Sequence, residues 1–212
     1  MKIESFDPYH IGIKLNNVNF QIFRQKIIKT MKSLEMPISA KDEMPFNVPI
    51  EILTSDGETR IELNYSSLAI NTIGNDPHKT NELFSKLTKV LTTIGYELDS
   101  LVIFYEVQTN INIKLDTSPL ELVSKSVSCN LESWKELHSG VSVNGIKIEL
   151  VDNELGAQSL AIVVYPNPIR PKHYLLVSVR YQHIEDDKII DFGNKIEKRV
   201  LNLIGSLGKK NA

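Results

Sequence analysis

One cysteine, Cys129, is all that the 212 residues hold, so no disulfide can close within the chain and no cysteine-rich zinc cluster can be built. That usage suits a reducing compartment. Charge of neither sign dominates: 24 Lys and Arg stand against 26 Asp and Glu, a net of −2. A domain that wraps a nucleic-acid backbone usually carries a basic excess, so the balance argues against nucleic acid as the partner. Long apolar runs are missing as well, and none approaches the roughly 18–20 residues that a membrane span needs. The N-terminal MKIESFDPYH has acidic residues and a proline where a signal peptide carries its apolar core. A cytoplasmic protein without membrane contact is therefore expected.

The signatures of known chemistries are absent too. The sequence holds no GxSxG elbow, no phosphate-binding P-loop, no GxGxxG after a strand, no HExxH and no CxxC. Of the five histidines, His10, His78, His138, His173 and His183, none lies three or four residues from another, so no helical metal pair exists. No metal or cofactor is expected. Cys129 would need a base to act as a nucleophile, and His138 is the nearest histidine in sequence. A packing role is the simpler reading of a single cysteine, and no catalytic residue is assigned.

What the sequence does carry is clearest from Thr59 to Leu115. Asp76 suits an N-cap, Pro77 the first helical position and Gly95 the residue after the last turn. Between them Leu83, Phe84, Leu87, Val90, Leu91 and Ile94 recur at helical spacing. After Gly95 the period becomes two, and Leu101, Ile103, Tyr105, Val107, Ile111, Ile113 and Leu115 should share one side of a long strand.

Around this block, residues 3–15 read as a weak strand interrupted at Asp7-Pro8. Residues 19–35 read as a helix with Phe20, Phe23, Ile27, Met31 and Leu34 on its apolar face, and 36–47 as a loop. Strands are expected at 49–54, 60–65 and 68–73. Residues 116–140 are the least regular, with a short helix starting at Ser118-Pro119 and another at 131–137 carrying Trp134. Strands follow at 141–151, 159–165 and 174–184. The second, nearly all apolar, reads as a central strand buried on both faces. Glu185-Asp186-Asp187 opens a last helix with Ile189, Ile196, Val200, Leu203, Ile204 and Leu207 along one face.

The expected fold is α+β: a mostly antiparallel sheet with long amphipathic helices packed on one face. It forms a single domain over 1–212. A strand-strand-strand-helix pattern occurs twice, which suggests similar halves at 48–115 and 141–208 joined by a connector at 116–140.

Candidate binding residues come from strand parity. Phe104, Glu106, Gln108, Asn110, Asn112 and Lys114 form the second face of the long strand, and Arg180 and Gln182 lie on the second face of 174–184. If both belong to one side of one sheet, they make a surface of amides with Glu106 and Arg180 among them. A wet sheet face is the ordinary fate of such a pattern; a ligand or partner surface is the sharper reading. The candidate site is Glu106, Gln108, Asn110, Trp134, Arg180 and Gln182.

Residues 59–115, with the strand Ser100-Leu-Val-Ile-Phe-Tyr-Glu-Val-Gln-Thr-Asn110 after the helix, resemble the central block of a sporadically distributed, uncharacterised prokaryotic family. In that family the strand ends in an Arg-Tyr-Ile-Asn-like motif, whose arginine is lacking here. The resemblance implies no activity. The sheet with two long helices is more loosely similar to SecB-type chaperone subunits, which are acidic, cytoplasmic and oligomeric. Together these readings point to a non-catalytic binding protein or assembly subunit, acting on a protein partner or on itself through a sheet face or strand edge. A small-ligand binder or enzyme, with its site between the sheet and the 116–140 loop, stays open as the alternative. A third reading, nucleic-acid binding through Arg24, Lys26, Lys29 and Lys32 on the first helix, is weaker because any solvated helix carries such charges.

Overall fold

The computed structural model describes residues 1–16, 19–33, 38–40, 50–54, 57–64, 66–94, 101–127, 145–151 and 158–207. The chain runs β1 (Lys2–Leu15), α1 (Phe20–Ser33), β2 (Ile38–Ala40), β3 (Ile50–Thr54), β4 (Thr59–Asn64), β5 (Ala69–Gly74) and α2 (Pro77–Thr93). It continues with β6 (Val102–Lys114), α3 (Pro119–Ser126), β7 (Ile146–Val151), β8 (Gln158–Pro166), β9 (Tyr174–His183), α4 (Asp186–Asn194) and α5 (Ile196–Leu207). Among the described residues nine strands make one sheet in the order β2-β3-β4-β5-β1-β6-β9-β8-β7. Every neighbouring pair is antiparallel.

The strand expected to be weak and interrupted sits at the centre. β1 runs unbroken through Asp7-Pro8 because the sheet absorbs the proline in a bulge. Phe6 pairs with Ile111 and Tyr9 with Thr109, so β1 holds one extra residue there, and a bulge is where a strand tolerates a proline. The extra residue also turns both Phe6 and Tyr9 inward, where both are buried. A second bulge corrects the expected parity of β6. Leu15 pairs with Val102 and Lys14 with Phe104, which leaves Ile103 over; it is 47% exposed rather than in the core.

Two further expectations change. The loop expected at 36–47 contains the short strand β2, paired to β3. The apolar run of β8 is not central. It lies second from the edge, and of its described side chains only Val164 is fully buried. Lacking Gly, Pro and charge, the run resembles a buried strand, but burial is set by strand order, which composition does not encode.

Seen from the β1–β6 pair, β5, β4 and β3 follow on one side and β9, β8 and β7 on the other. β6, grouped above with the first half, thus stands opposite β1 as the first strand of the second set. All the helices contribute to a core on one face. Phe23, Ile27 and Met31 of α1, Phe84, Leu87 and Leu91 of α2, Val123 of α3, Ile189 of α4 and Ile196 and Ile204 of α5 join Ile11, Ile13, Val107, Ile111 and Val177 of the strands. Each such side chain, fully buried, contributes about 1.5–3 kcal/mol.

The α2 N-cap follows from sequence: the Asp76 carboxylate accepts from the backbone N–H groups of His78 and Lys79, with Pro77 in the first turn. Gly95 and residues 131–137 with Trp134 fall outside the described residues. The expected last helix is two, α4 and α5, which break at Lys195.

Beside that break, one polar chain ties the helices to the central strand. The Tyr9 hydroxyl donates to Asn81 Oδ1 at 2.7 Å, and Asn81 Nδ2 donates to Asn194 Oδ1 at 3.0 Å. Tyr9 and Asn81 are buried, so each bond removes a desolvation penalty that would otherwise stand. Gly193 admits this arrangement, since a Cβ there would lie 2.2 Å from the Tyr9 hydroxyl and 2.8 Å from Asn81 Nδ2. Gly193→Ala is expected to cost about 1–3 kcal/mol in denaturant unfolding. The cost should shrink in a Tyr9→Phe background, which removes the struck hydroxyl; an additive double-mutant cycle would contradict this geometry.

Candidate functional site

With the helices on one side, the other side of the sheet is lined by the alternate residues of each strand. On β6 these are Glu106, Gln108, Asn110 and Asn112, opposite Gln182, Arg180, Ser178 and Leu176 of β9. On the other side of β6, Gly12 faces Glu106 and His10 faces Gln108. Five of the six candidate residues, Glu106, Gln108, Asn110, Arg180 and Gln182, therefore lie together on the open face. Trp134 lies outside the described residues, as do Cys129 and His138.

The polar groups here are tied across strands. Glu106 Oε2 accepts from Arg180 Nε and from Gln182 Nε2, both at 2.6 Å. Gln182 Oε1 in turn accepts from the Ser159 hydroxyl at 2.9 Å. Three strands, β6, β9 and β8, are thus linked through side chains on one face, in the manner of cross-strand pairs. Arg180 stays exposed within this network and Gln108 beside it, and Asn110 is half-buried.

Toward Asn112 the face is covered. Asn112 Nδ2 donates to the Ser5 hydroxyl, and its Oδ1 accepts from Asn167 Nδ2 at 2.7 Å. Asn167 Oδ1 accepts from the backbone N–H groups of Ile169 and Arg170, which holds the turn after β8 against the sheet. The accessible part therefore centres on Glu106, Gln108 and Asn110.

Parity alone did not reveal the neighbours on β1, β5 and β4. Gly12 is one of them: a Cβ would meet Asn71 Oδ1 at 2.2 Å and the Ile70 carbonyl oxygen at 2.9 Å, so the Asn71 amide lies over the bare backbone of β1. A glycine inside a strand signals such an approach. His10 is another. Burial lowers its imidazole pKa below the ordinary 6.5; the Glu62 carboxylate opposes this, Arg60 adds to it and Glu106 opposes it.

Around β6 and β9 the face offers amides, the bound Glu106 carboxylate and the Arg180 guanidinium, and toward β4 it adds His10, Glu62 and Arg60. Both groups that hold Glu106 act on the same oxygen, which makes it a fixed acceptor. Among the described residues no cluster of three or more His, Cys, Asp and Glu is placed to hold a metal, and no helix is long and apolar enough to cross a membrane. The basic stretch of α1 is not a uniform surface either, because Arg24 is buried while Lys26, Lys29 and Lys32 are exposed. Beside α3 a cleft of about 560 Å³ is lined by Ser118, Leu120, Tyr165, Pro166, Pro171 and Lys172. Neither Glu106 nor Arg180 is among the residues that line it.

No family model matches the chain, and no curated protein matches it in sequence. Among solved structures it is similar to "Methanococcus jannaschii TBP", with a TM-score of 0.37 and 11% identity over 97% of this chain and 99% of that one. A likeness at that level says nothing of what the chain binds.

Two outcomes follow from the geometry. Because the folded His10 resists protonation, the unfolded chain takes up its proton first as pH falls below 6.5. The folded state should lose stability there until the folded imidazole also titrates. His10→Gln is expected to remove that part of the slope in unfolding midpoints measured against pH. Glu106→Gln should change stability by less than about 1 kcal/mol, since its cationic partner is exposed to solvent.

Proposed function

We propose that this chain is a non-catalytic binding protein that docks a protein partner on the open face of its sheet. The observation that carries the reading is the cross-strand network in which Glu106 holds Arg180 and Gln182 while Gln108 stays exposed beside it. Groups already fixed in place lose little entropy on binding, which favours affinity from modest contacts. Near-neutral net charge and amides with directional donors and acceptors suit a polar protein surface better than a phosphate backbone. A cytoplasmic site of action accords with the lone cysteine.

A small-ligand reading draws on the cleft beside α3. Its lining of Leu120, Tyr165, Pro166 and Pro171 would suit an apolar molecule, with Lys172 as the one charged group among the described lining residues.

Tagged protein purified from its native host, with and without nuclease, and read by native mass spectrometry separates these readings. A stoichiometric protein partner that survives nuclease is expected. Gln108→Arg should weaken its capture by roughly tenfold or more, as an unmatched charge at an interface does, without moving the unfolding midpoint. Hydrogen exchange should slow on β1, β6 and β9 in the complex. Recovery of the chain alone with added small mass would favour the cleft, and loss of the partner on nuclease treatment would favour nucleic acid.

A further inference from the structure

We propose that the chain self-associates by pairing β7 with β7 of a second copy, antiparallel about a twofold axis through Ile148. This edge stands apart from the Glu106, Gln108 and Asn110 centre of the open face and does not depend on what that centre binds. A nine-stranded open sheet has two edges. At one, β2 is only three residues long, and shortness is a usual protection against unwanted pairing. At the other, β7 has six residues, contains no proline, and has a strand neighbour only in β8 among the described residues. Its backbone on the far side is a template for another strand.

The side chains select the partner and the register. Lys147 and Glu149 are exposed on the open face, 2.6 Å apart within the strand, and Ile146 and Ile148 are half-buried on the other face. With Ile148 opposite its own copy, each Lys147 faces the partner's Glu149, which makes two opposite-charge cross-strand pairs. A shift that sets Lys147 opposite itself, or Glu149 opposite itself, brings like charges together. A slip of one residue turns the second sheet over, so that the helix side of one copy meets the open side of the other. One register therefore satisfies both charge and facing, and the strand that fits is β7 itself. The product is isologous, and its two open faces lie on the same side of a continuous sheet.

The test is a charge swap on the full chain. The unaltered protein should give a concentration-dependent dimer by sedimentation and native mass spectrometry, with β7 amides slowing in hydrogen exchange as the dimer forms. Lys147→Glu and Glu149→Lys, each alone, place like charges opposite at both positions. Each should weaken the dimer by roughly tenfold or more, two pairs changing sign. Mixing the two variants restores both attractions and should yield a heterodimer, and the double variant K147E/E149K should dimerise with itself. Both residues are exposed, so the fold should be kept, and unchanged circular dichroism checks this. A monomer at every concentration, or a dimer indifferent to the single variants, overturns the proposal. Partner capture through Gln108 is read separately, so either proposal can fail without the other.

Discussion

The antiparallel pairing of β1 with β6 is the constraint on which the rest of the molecule hangs. It runs from Lys2 opposite Lys114 to Leu15 opposite Val102. β5 attaches to the free side of β1 and β9 to the free side of β6, so each flank of the sheet is anchored on one of these two strands. Through Tyr9 the same seam reaches the helix layer, because its hydroxyl fixes Asn81 of α2, and Asn81 fixes Asn194 of α4. Without this seam the two flanks would not belong to one sheet. The arrangement also has a folding consequence. β1 has no partner at β6 until about a hundred residues more have been joined, and pairings so distant in sequence form slowly.

The sheet divides its labour by face. Residues that alternate inward meet helices, and those that alternate outward meet solvent and one another. The outward residues are not a loose polar coat. Glu106, Arg180, Gln182 and Ser159 hold each other across three strands, while Asn112 and Asn167 close one end. Gly12 lets the Asn71 amide lie over the centre of β1. The face is therefore defined in shape as well as in composition, although its individual charge pairs contribute little to stability.

What the sequence made legible was local. Asp76 and Pro77 announced α2 because caps act within one turn, and the period-two parity of β6 and β9 placed Glu106, Gln108, Asn110, Arg180 and Gln182 on one side. Their meeting required strand order, which depends on distant pairing. The same gap accounts for the differences. Asp7-Pro8 reads as an interruption because a bulge is a property of two strands, and only the β6 partner shows that β1 passes through. A strict period of two puts Ile103 on the apolar side of β6, because a single unpaired residue shifts parity without marking the sequence. The apolar run of β8 says what the strand tolerates, not where it lies. Residues such as His10 and Asn71 join the face through β1 and β5, which no periodicity within β6 or β9 could show.

Edge and face have a physical connection. Strands lie about 4.8 Å apart, so in a pair joined through β7 the two β6–β9 seams would stand roughly 30 Å from each other on one side of a common sheet. A partner carrying two suitable polar patches at that spacing would bind the second with the first already held, which raises affinity without any new contact. The centre of the face, built of amides and the neutralised Glu106 carboxylate, gives weak, directional contacts singly, and such contacts gain most from repetition. The polar character of the open face and the self-complementary charges at the sheet's edge are thus consistent with one design, in which strength comes from the number of faces rather than from the strength of each.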